Sequence, residues 1–239
     1  ELFLYPPRFM VRHPTLDNFR DLLFVTGQTW MPFSRYIFNS VVVSGATVFG
    51  NVLLASLAAF VLSKHSFPLR GAIFRLVVLS LMFAPQVTQI PRFLVVANLG
   101  IVDTYAGLIV PNLALPIGLF LFKQFMDQIP DALMEAGRID GLSEWRLYRQ
   151  VMMPSVKPAS ATVAILSFVA VWSDAWTPMV FTKSEQMKTL PLGLQTLGAS
   201  IAVSGATAAA TLLMIAPTII LFAVMQGRVM KTMAHSGIK

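Results

Sequence analysis

IFNSVVVSGATVFGNVLLASLAAFVLS, residues 37–63, contains no Asp, Glu, Lys or Arg. About 20 apolar residues in a helix span the hydrocarbon of a bilayer, and this run exceeds that. Further charge-free runs cover 76–91, 104–122 and 189–227. The chain of 239 residues is 56% hydrophobic and only 12% charged, with mean hydropathy +0.69, which excludes an ordinary water-facing surface. Five spans are expected, at about 37–63, 71–92, 104–126, 159–181 and 207–227. The runs are long and continuous instead of alternating over roughly ten residues, so helices are expected and barrel strands are not.

Cysteine is absent and the three histidines, His13, His65 and His235, lie far apart, so neither a disulfide framework nor a metal site is expected. The net charge of +7 falls mainly between the apolar runs. Lipid headgroups and topology account for that placement better than nucleic acid does. Eleven of the lysines and arginines, from Lys64 to Lys239, fall on one side of the expected spans, and seven, including Arg92, Lys183 and Lys188, on the other. The richer side is assigned to the cytoplasm. Residues 1–36 are then an external segment with a short amphipathic stretch around Leu16 to Phe24, and the C-terminus is cytoplasmic. An outside N-terminus that begins with Glu1 calls for an upstream helix or a cleaved leader to deliver it.

The longest cytoplasmic loop is Asp127 to Pro158, and its core reads QIPDALMEAGRIDGLSEWRLYRQVMMPSVKP from residue 128. Pro130 and Asp131 suit a helix start, so a helix is expected to Ile139. Asp140 and Gly141 break it, with glycine supplying a positive φ. Ser143 is placed to cap a second helix carrying Leu142, Trp145 and Tyr148 as an apolar stripe and stopping before Pro154. Periodicity alone leaves open whether such a pair grips a partner or lies on the headgroups.

Glu135-Ala136-Gly137, Asp140-Gly141, Ser143 and Val151-Met152-Met153-Pro154 closely resemble the EAA loop of permeases of ATP-binding-cassette (ABC) importers. Gly137, Leu142, Tyr148 and Met153 depart from that pattern without removing its acid, its turn glycine or its proline. Thr15-Leu16-Asp17-Asn18-Phe19, Phe38-Asn39-Ser40, Pro85 to Pro91, Trp172-Ser173-Asp174 and Thr189-Leu190-Pro191 are similar, in the same order, to landmarks of MalG-like carbohydrate permeases. The resemblance implies an all-α membrane bundle of the type I importer kind in the bacterial inner membrane, with five of six family helices present. The permease domain would run over 37–239, with the coupling loop at about 127–158 and a cytoplasmic tail at about 228–239.

It also implies a transport subunit and no enzyme. Glu135, Ala136, Gly137, Asp140, Gly141, Leu142, Ser143, Trp145, Tyr148 and Pro154 would couple to a separate ATPase dimer, and Ser236 and Gly237 would touch it from the tail. ATP and Mg would be bound by that ATPase, since no G-x-x-x-x-G-K-[ST] stretch occurs here. The other implied partners are a second permease subunit, an external solute-binding protein and lipid. Gln86, Thr88, Gln89 and Asn112, beside helix-breaking prolines, together with Trp172 and Asp174, are candidates for the solute path or gate. An ion-coupled carrier using Asp174 is the alternative reading.

Overall fold

The computed structural model describes residues 15–27, 31–198 and 204–236, and among them every regular element is helical. Helix α1 is Asp17–Gly27 and α2 is Phe33–Lys64. The second expected span is two helices, α3 (Arg70–Ser80) and α4 (Gln89–Asn98), separated by a turn and a 3-10 segment at Pro85–Thr88. The third is α5 (Tyr105–Ile109), a 3-10 turn at Val110–Asn112 and α6 (Pro116–Asp127). The loop carries α7 (Asp131–Ile139), α8 (Glu144–Arg146) and α9 (Met153–Ser155). Then come α10 (Lys157–Trp172), α11 (Trp176–Phe181), α12 (Leu190–Gly198) and α13 (Ser204–Ser236).

Two of these helices, α2 and residues 205–224 of α13, are long and apolar enough by themselves to cross a membrane; α5 with α6, bent by 46°, adds a broken one. The second and third spans are thus interrupted at helix-breaking prolines, as the sequence leads one to expect, whereas the break within 159–181 falls at 173–175 and not at Pro178. Pro85 has no N–H and a fixed φ, so the chain leaves the helix at Ser80 and re-enters it at Gln89. At 173–175 the break has a different cause: the Asp174 carboxylate accepts from the N–H groups of Trp176 and Thr177 at 2.9 and 3.0 Å, starting α11 as a new helix. At the other end, α13 continues as helix through Ser236, so the described part of the expected tail, residues 228–236, is helical. Gly237 lies outside the described residues.

The spine of the bundle is α2, packed along α6 and α10. Its inward face carries a row of polar residues among apolar ones such as Val43 and Phe60, and its outward face is largely apolar. Asn39, Ser40, Ser44, Thr47, Asn51 and Ser56 are buried, while Phe38, Val41, Phe49 and Leu54 are exposed. In lipid that arrangement costs nothing on the outside and demands a partner for each polar group inside. Asn39 donates to the carbonyls of Gln186 and Lys188 at 2.7 and 2.8 Å, and the Ser40 hydroxyl accepts from Leu190 N–H at 2.7 Å. Farther along, Asn51 donates to the Asn112 carbonyl at 3.0 Å and the Ser167 hydroxyl at 2.8 Å. These bonds tie α2 to the 185–190 connection, the α5–α6 bend and α10.

The connection between α4 and α5 is fastened to the one after α11. Asp103, at φ 63, donates its N–H to the Phe181 carbonyl at 2.8 Å. Its Oδ1 accepts from the N–H groups of Lys183 and Ser184 at 2.9 and 3.0 Å and from the Ser184 hydroxyl at 3.0 Å. The Ser184 N–H above all, with the Lys183 N–H and the Ser184 hydroxyl, holds the Asp103 carboxyl below its ordinary value of 3.8. A depressed carboxylate stabilises the fold above its ordinary pKa and loses that contribution as pH falls through the folded value. The difference in melting midpoint between wild type and Asp103→Ala, followed in detergent, should therefore be constant above about pH 5 and shrink below about pH 4. A difference independent of pH would show that the carboxylate bonds do not fasten the two connections.

Candidate functional site

Helix α7 follows Pro130, has Asp131 in its first turn and Arg138 in its last, each on the side its dipole favours. It closes with Gly141 at φ 79. Gly141 N–H donates to the Arg138 carbonyl at 3.0 Å and Leu142 N–H to the Gly137 carbonyl at 2.9 Å, the paired bonds of a Schellman cap. Ser143 stands at the start of the second helix, but its hydroxyl makes no capping bond; its carbonyl instead accepts from Leu147 N–H at 2.8 Å.

The second helix is not regular and does not stop before Pro154. Residues Leu147–Met152 form a π-helical turn, with Met153 N–H donating to the Tyr148 carbonyl five residues back. That wider turn carries Pro154, which cannot donate, into the short α9. The chain then turns by 81° at Val156 into α10. The expected stripe is split by this geometry. Leu147 and Tyr148 are buried, Leu142 is half-buried against the same core, and Trp145 is 56% exposed with its ring 5.3 Å from that of Tyr148. Leu147 is the packing residue that helical spacing misses, because the π turn shifts the register.

Gly137 serves the interior and not an outer surface: a Cβ there would stand 2.4 Å from Leu147 Cδ2. The absent side chain makes the notch into which Leu147 packs. Tyr148 shares a hydrogen bond of 2.7 Å with the buried Ser56 of α2, and its ring lies 5.6 Å from that of Phe60. Lys64, at the end of α2, donates to the Ile129 carbonyl at 2.6 Å and to Asp131 at 2.7 Å. His65 Nε2 lies 3.2 Å from Glu144, which also accepts from Arg138 at 2.9 Å. The Lys64 bond and charge hold the Asp131 carboxyl below its ordinary value, and the Arg138 bond does the same for Glu144. The loop is thereby locked to the end of α2.

What remains outside is one face. Glu135, Ala136 and Asp140 are exposed, and neither acid has an ion-pair or hydrogen-bond partner among the described residues. Leu133, Ile139 and Trp145 stand beside them, Ile139 at 86% exposure. An unpaired acid ringed by uncovered apolar side chains on a rigid support suits a basic, apolar-lined cleft on another protein.

Of the solute-path candidates, Asn112 and Asp174 share one small internal gap and the others do not join them. Trp172 is buried, its Nε1 donating to the Met214 carbonyl at 2.8 Å, and Asp174 caps α11, so both act in packing. Its capping duty takes away the main support for an ion-coupled carrier. Gln86 is exposed, Gln89 is half-buried and Thr88 lines a cavity described below. Asn112 is internal, accepting from Arg92 at 3.0 Å and donating to the Leu108 carbonyl at 3.0 Å. Arg92 itself is a correction: it belongs to no outer loop but reaches the bundle interior. The inward face of α2 was also missed, although Ser40, Ser44, Thr47 and Asn51 stand at helical spacing.

Residues 51–234 match the family described as binding-protein-dependent transport system inner membrane component. An arabinooligosaccharides transport system permease protein of Halalkalibacterium halodurans is 34% identical over 183 residues, 77% of this chain and 64% of that one. An sn-glycerol-3-phosphate transport system permease protein of Rhizobium meliloti is 35% identical over 161 residues, 67% of this chain and 57% of that one. The chain thus spans less than two thirds of these relatives; against a Yersinia pestis sn-glycerol-3-phosphate permease protein, 32% identity extends over 206 residues and 72% of its length. The crystal structure of a bacterial ABC transporter involved in the import of the acidic polysaccharide alginate superposes with a TM-score of 0.77, covering 86% of this chain and 78% of that one. At 21% identity that likeness shows the fold.

Locking the loop through Tyr148 has a measurable signature. Tyr148→Phe should cost about 1 kcal/mol of stability, and Ser56→Ala somewhat more because it strands the phenol. The double variant should lose less than the sum, by about 1 kcal/mol, in unfolding of the detergent-solubilised chain. Strict additivity would remove the bond from the account of how the loop is held.

Proposed function

The chain belongs to the family of binding-protein-dependent transport system inner membrane components, and we propose that it is the permease subunit of an ABC importer that moves a carbohydrate or related polyol. The single observation that carries the coupling assignment is the face of α7 and α8: Glu135 exposed and unpaired, flanked by Ala136, Ile139 and Trp145, on a support bonded into α2. A rigid helix pair seated in a cleft of an ATPase passes that subunit's rigid-body movement to the bundle. Glu135 would meet a basic group there and Trp145 an apolar pocket. Met134, Gly137, Leu147 and Tyr148 hold the shape of the loop, and Gly141 turns it.

The ATPase dimer would bind ATP and Mg, because this chain carries no phosphate-binding loop. An external binding protein would deliver the solute, and a second permease would complete the path. In this reading the loop faces the cytoplasm, and the connections at Asp103 and at 182–189 face outward. The carbohydrate or polyol class rests on what the similar permeases are named for, arabinooligosaccharides and sn-glycerol-3-phosphate.

Glu135→Arg, expressed with its partner subunits, should leave the chain inserted at wild-type abundance while recovery of the ATPase on purification falls at least tenfold, the scale of a charge reversal at an interface. Wild-type recovery together with wild-type uptake would defeat the assignment. Gly137→Leu should have the same result through a different cause, by expelling Leu147 from its notch.

A further inference from the structure

Arg92 lies where an arginine is costly. Its guanidinium donates to the Pro111 carbonyl and to Asn112 Oδ1, each at 3.0 Å. Asn112 is in turn bonded through its carbonyl to Asn51, near the middle of the 32-residue α2. At 1.5 Å per residue Asn51 is about 20 Å from the nearer end of that helix, so the cation sits at mid-bundle level and far from either headgroup layer. Its Nε is buried and finds no partner. Such a charge inside a membrane protein is retained where it meets an ion, a counter-charge or a solute.

The structure offers a space beside it. Asn112, to which Arg92 is bonded, lines one small internal gap together with Asp174. On the other side, Arg92 lines a cavity of about 750 Å³ between α4, the end of α3 and the bend joining α5 to α6. Arg92 is the one charged residue among those that line it; Ser80 and Thr88 are hydroxylic and the remaining walls apolar. The cavity exists because the second and third spans are broken, and the positive end of α4 opens beside it.

We infer that this cavity receives the anionic group, a carboxylate or a phosphate, of an acidic carbohydrate or polyol phosphate, with Arg92 as its ligand. The inference rests on the importer reading and narrows its solute. Nη2 is held by Pro111 and Asn112 and Nε is buried, so Nη1 is the guanidinium nitrogen left to donate to an oxygen of either group. The apolar walls cover the carbon face of a short solute. A neutral sugar would leave the cation with no better partner than it has at rest, so the site discriminates by charge. A phospholipid headgroup offers the same oxygens, but at mid-bundle depth it is out of reach.

The test uses the permease pair purified with its ATPase in phosphatidylcholine nanodiscs. Glucuronate and glycerol 3-phosphate, at millimolar concentration and constant ionic strength, should raise the melting midpoint by a few degrees, and glucose and glycerol should not. In Arg92→Gln the apparent Kd for both acids should rise by roughly tenfold or more. Arg92→Lys should keep part of the effect. Equal shifts from acidic and neutral probes, an Arg92→Gln complex that binds the acids as wild type does, or no shift at all would overturn the inference. So would an Arg92-dependent shift produced by phosphatidylglycerol in the nanodisc and not by the soluble acids. Retention of the ATPase by the same preparations keeps the two questions apart: a complex that holds its ATPase but ignores the acids leaves the importer reading standing and removes this one.

Discussion

The hydrogen bond between Tyr148 and Ser56 joins two parts of the molecule that differ in everything else. Ser56 lies in a helix that the bilayer would hold in place whatever its neighbours; Tyr148 lies in a loop of short, irregular helices that would have little stability alone. The bond is buried and flanked by the Phe60 ring, so neither hydroxyl has water to fall back on. That asymmetry makes the contact specific: breaking it costs more than making it gains. Lys64, the last residue of α2, and His65 just after it extend the same junction through Asp131 and Glu144. In the proposed coupling role such a loop must not bend at its root, and the bonds of Ser56, Lys64 and His65 fix it there.

Packing elsewhere follows from the solvent being lipid. In water α2 would bury Phe38, Val41 and Phe49 and expose Asn39, Ser40 and Asn51; here the order is reversed. Apolar transfer gives no gradient between lipid and protein interior, so hydrogen bonds and close contact decide which face turns in. The buried asparagines then choose partners that are backbone carbonyls freed by irregular chain: Gln186 and Lys188 in a connection, Asn112 before a bend. Breaks in the helices and polar residues in the straight helix are two halves of one arrangement.

This explains what was legible in the sequence and what was not. The coupling loop was readable because its signals are local: a proline and an acid at a helix start, a glycine where φ must be positive, helical spacing between. The bounds of α7, the positive φ of Gly141 and the burial of Tyr148 follow from them. The charge-free runs correctly announced a helical membrane bundle, but hydropathy averages over a window and does not see a proline inside it. The break at Pro85 was legible from the proline itself, whereas the one at 173–175 was not, because there a side-chain cap and no proline interrupts the helix. Leu147 was missed because a π turn changes the period on which the reading depends. Arg92 was assigned to an outer loop because a charge ends a hydropathy window, whereas its actual place is set by Asn112, 20 residues on in sequence. Ser143 had the right place for a cap, but its backbone carbonyl and not its hydroxyl bonds the first turn.

The distribution of regular and broken helix carries one more consequence. At the loop end, α2, α6, α7 and the π turn share a single close-packed core around Phe122, Met126, Met134 and Leu147, all fully buried. Away from it, α3, α4, α5 and α11 are short pieces joined at prolines and turns, held by bonds that reach across connections, such as those of Asp103. A displacement applied at the loop would pass through the rigid end without distortion and be taken up where the chain is already interrupted, since close-packed cores move as bodies and hinges lie at element ends. The interrupted part is also where the cavity beside Arg92 lies. In the proposed importer the same breaks would thus both shape the solute cavity and let it open, and no separate gate element is required.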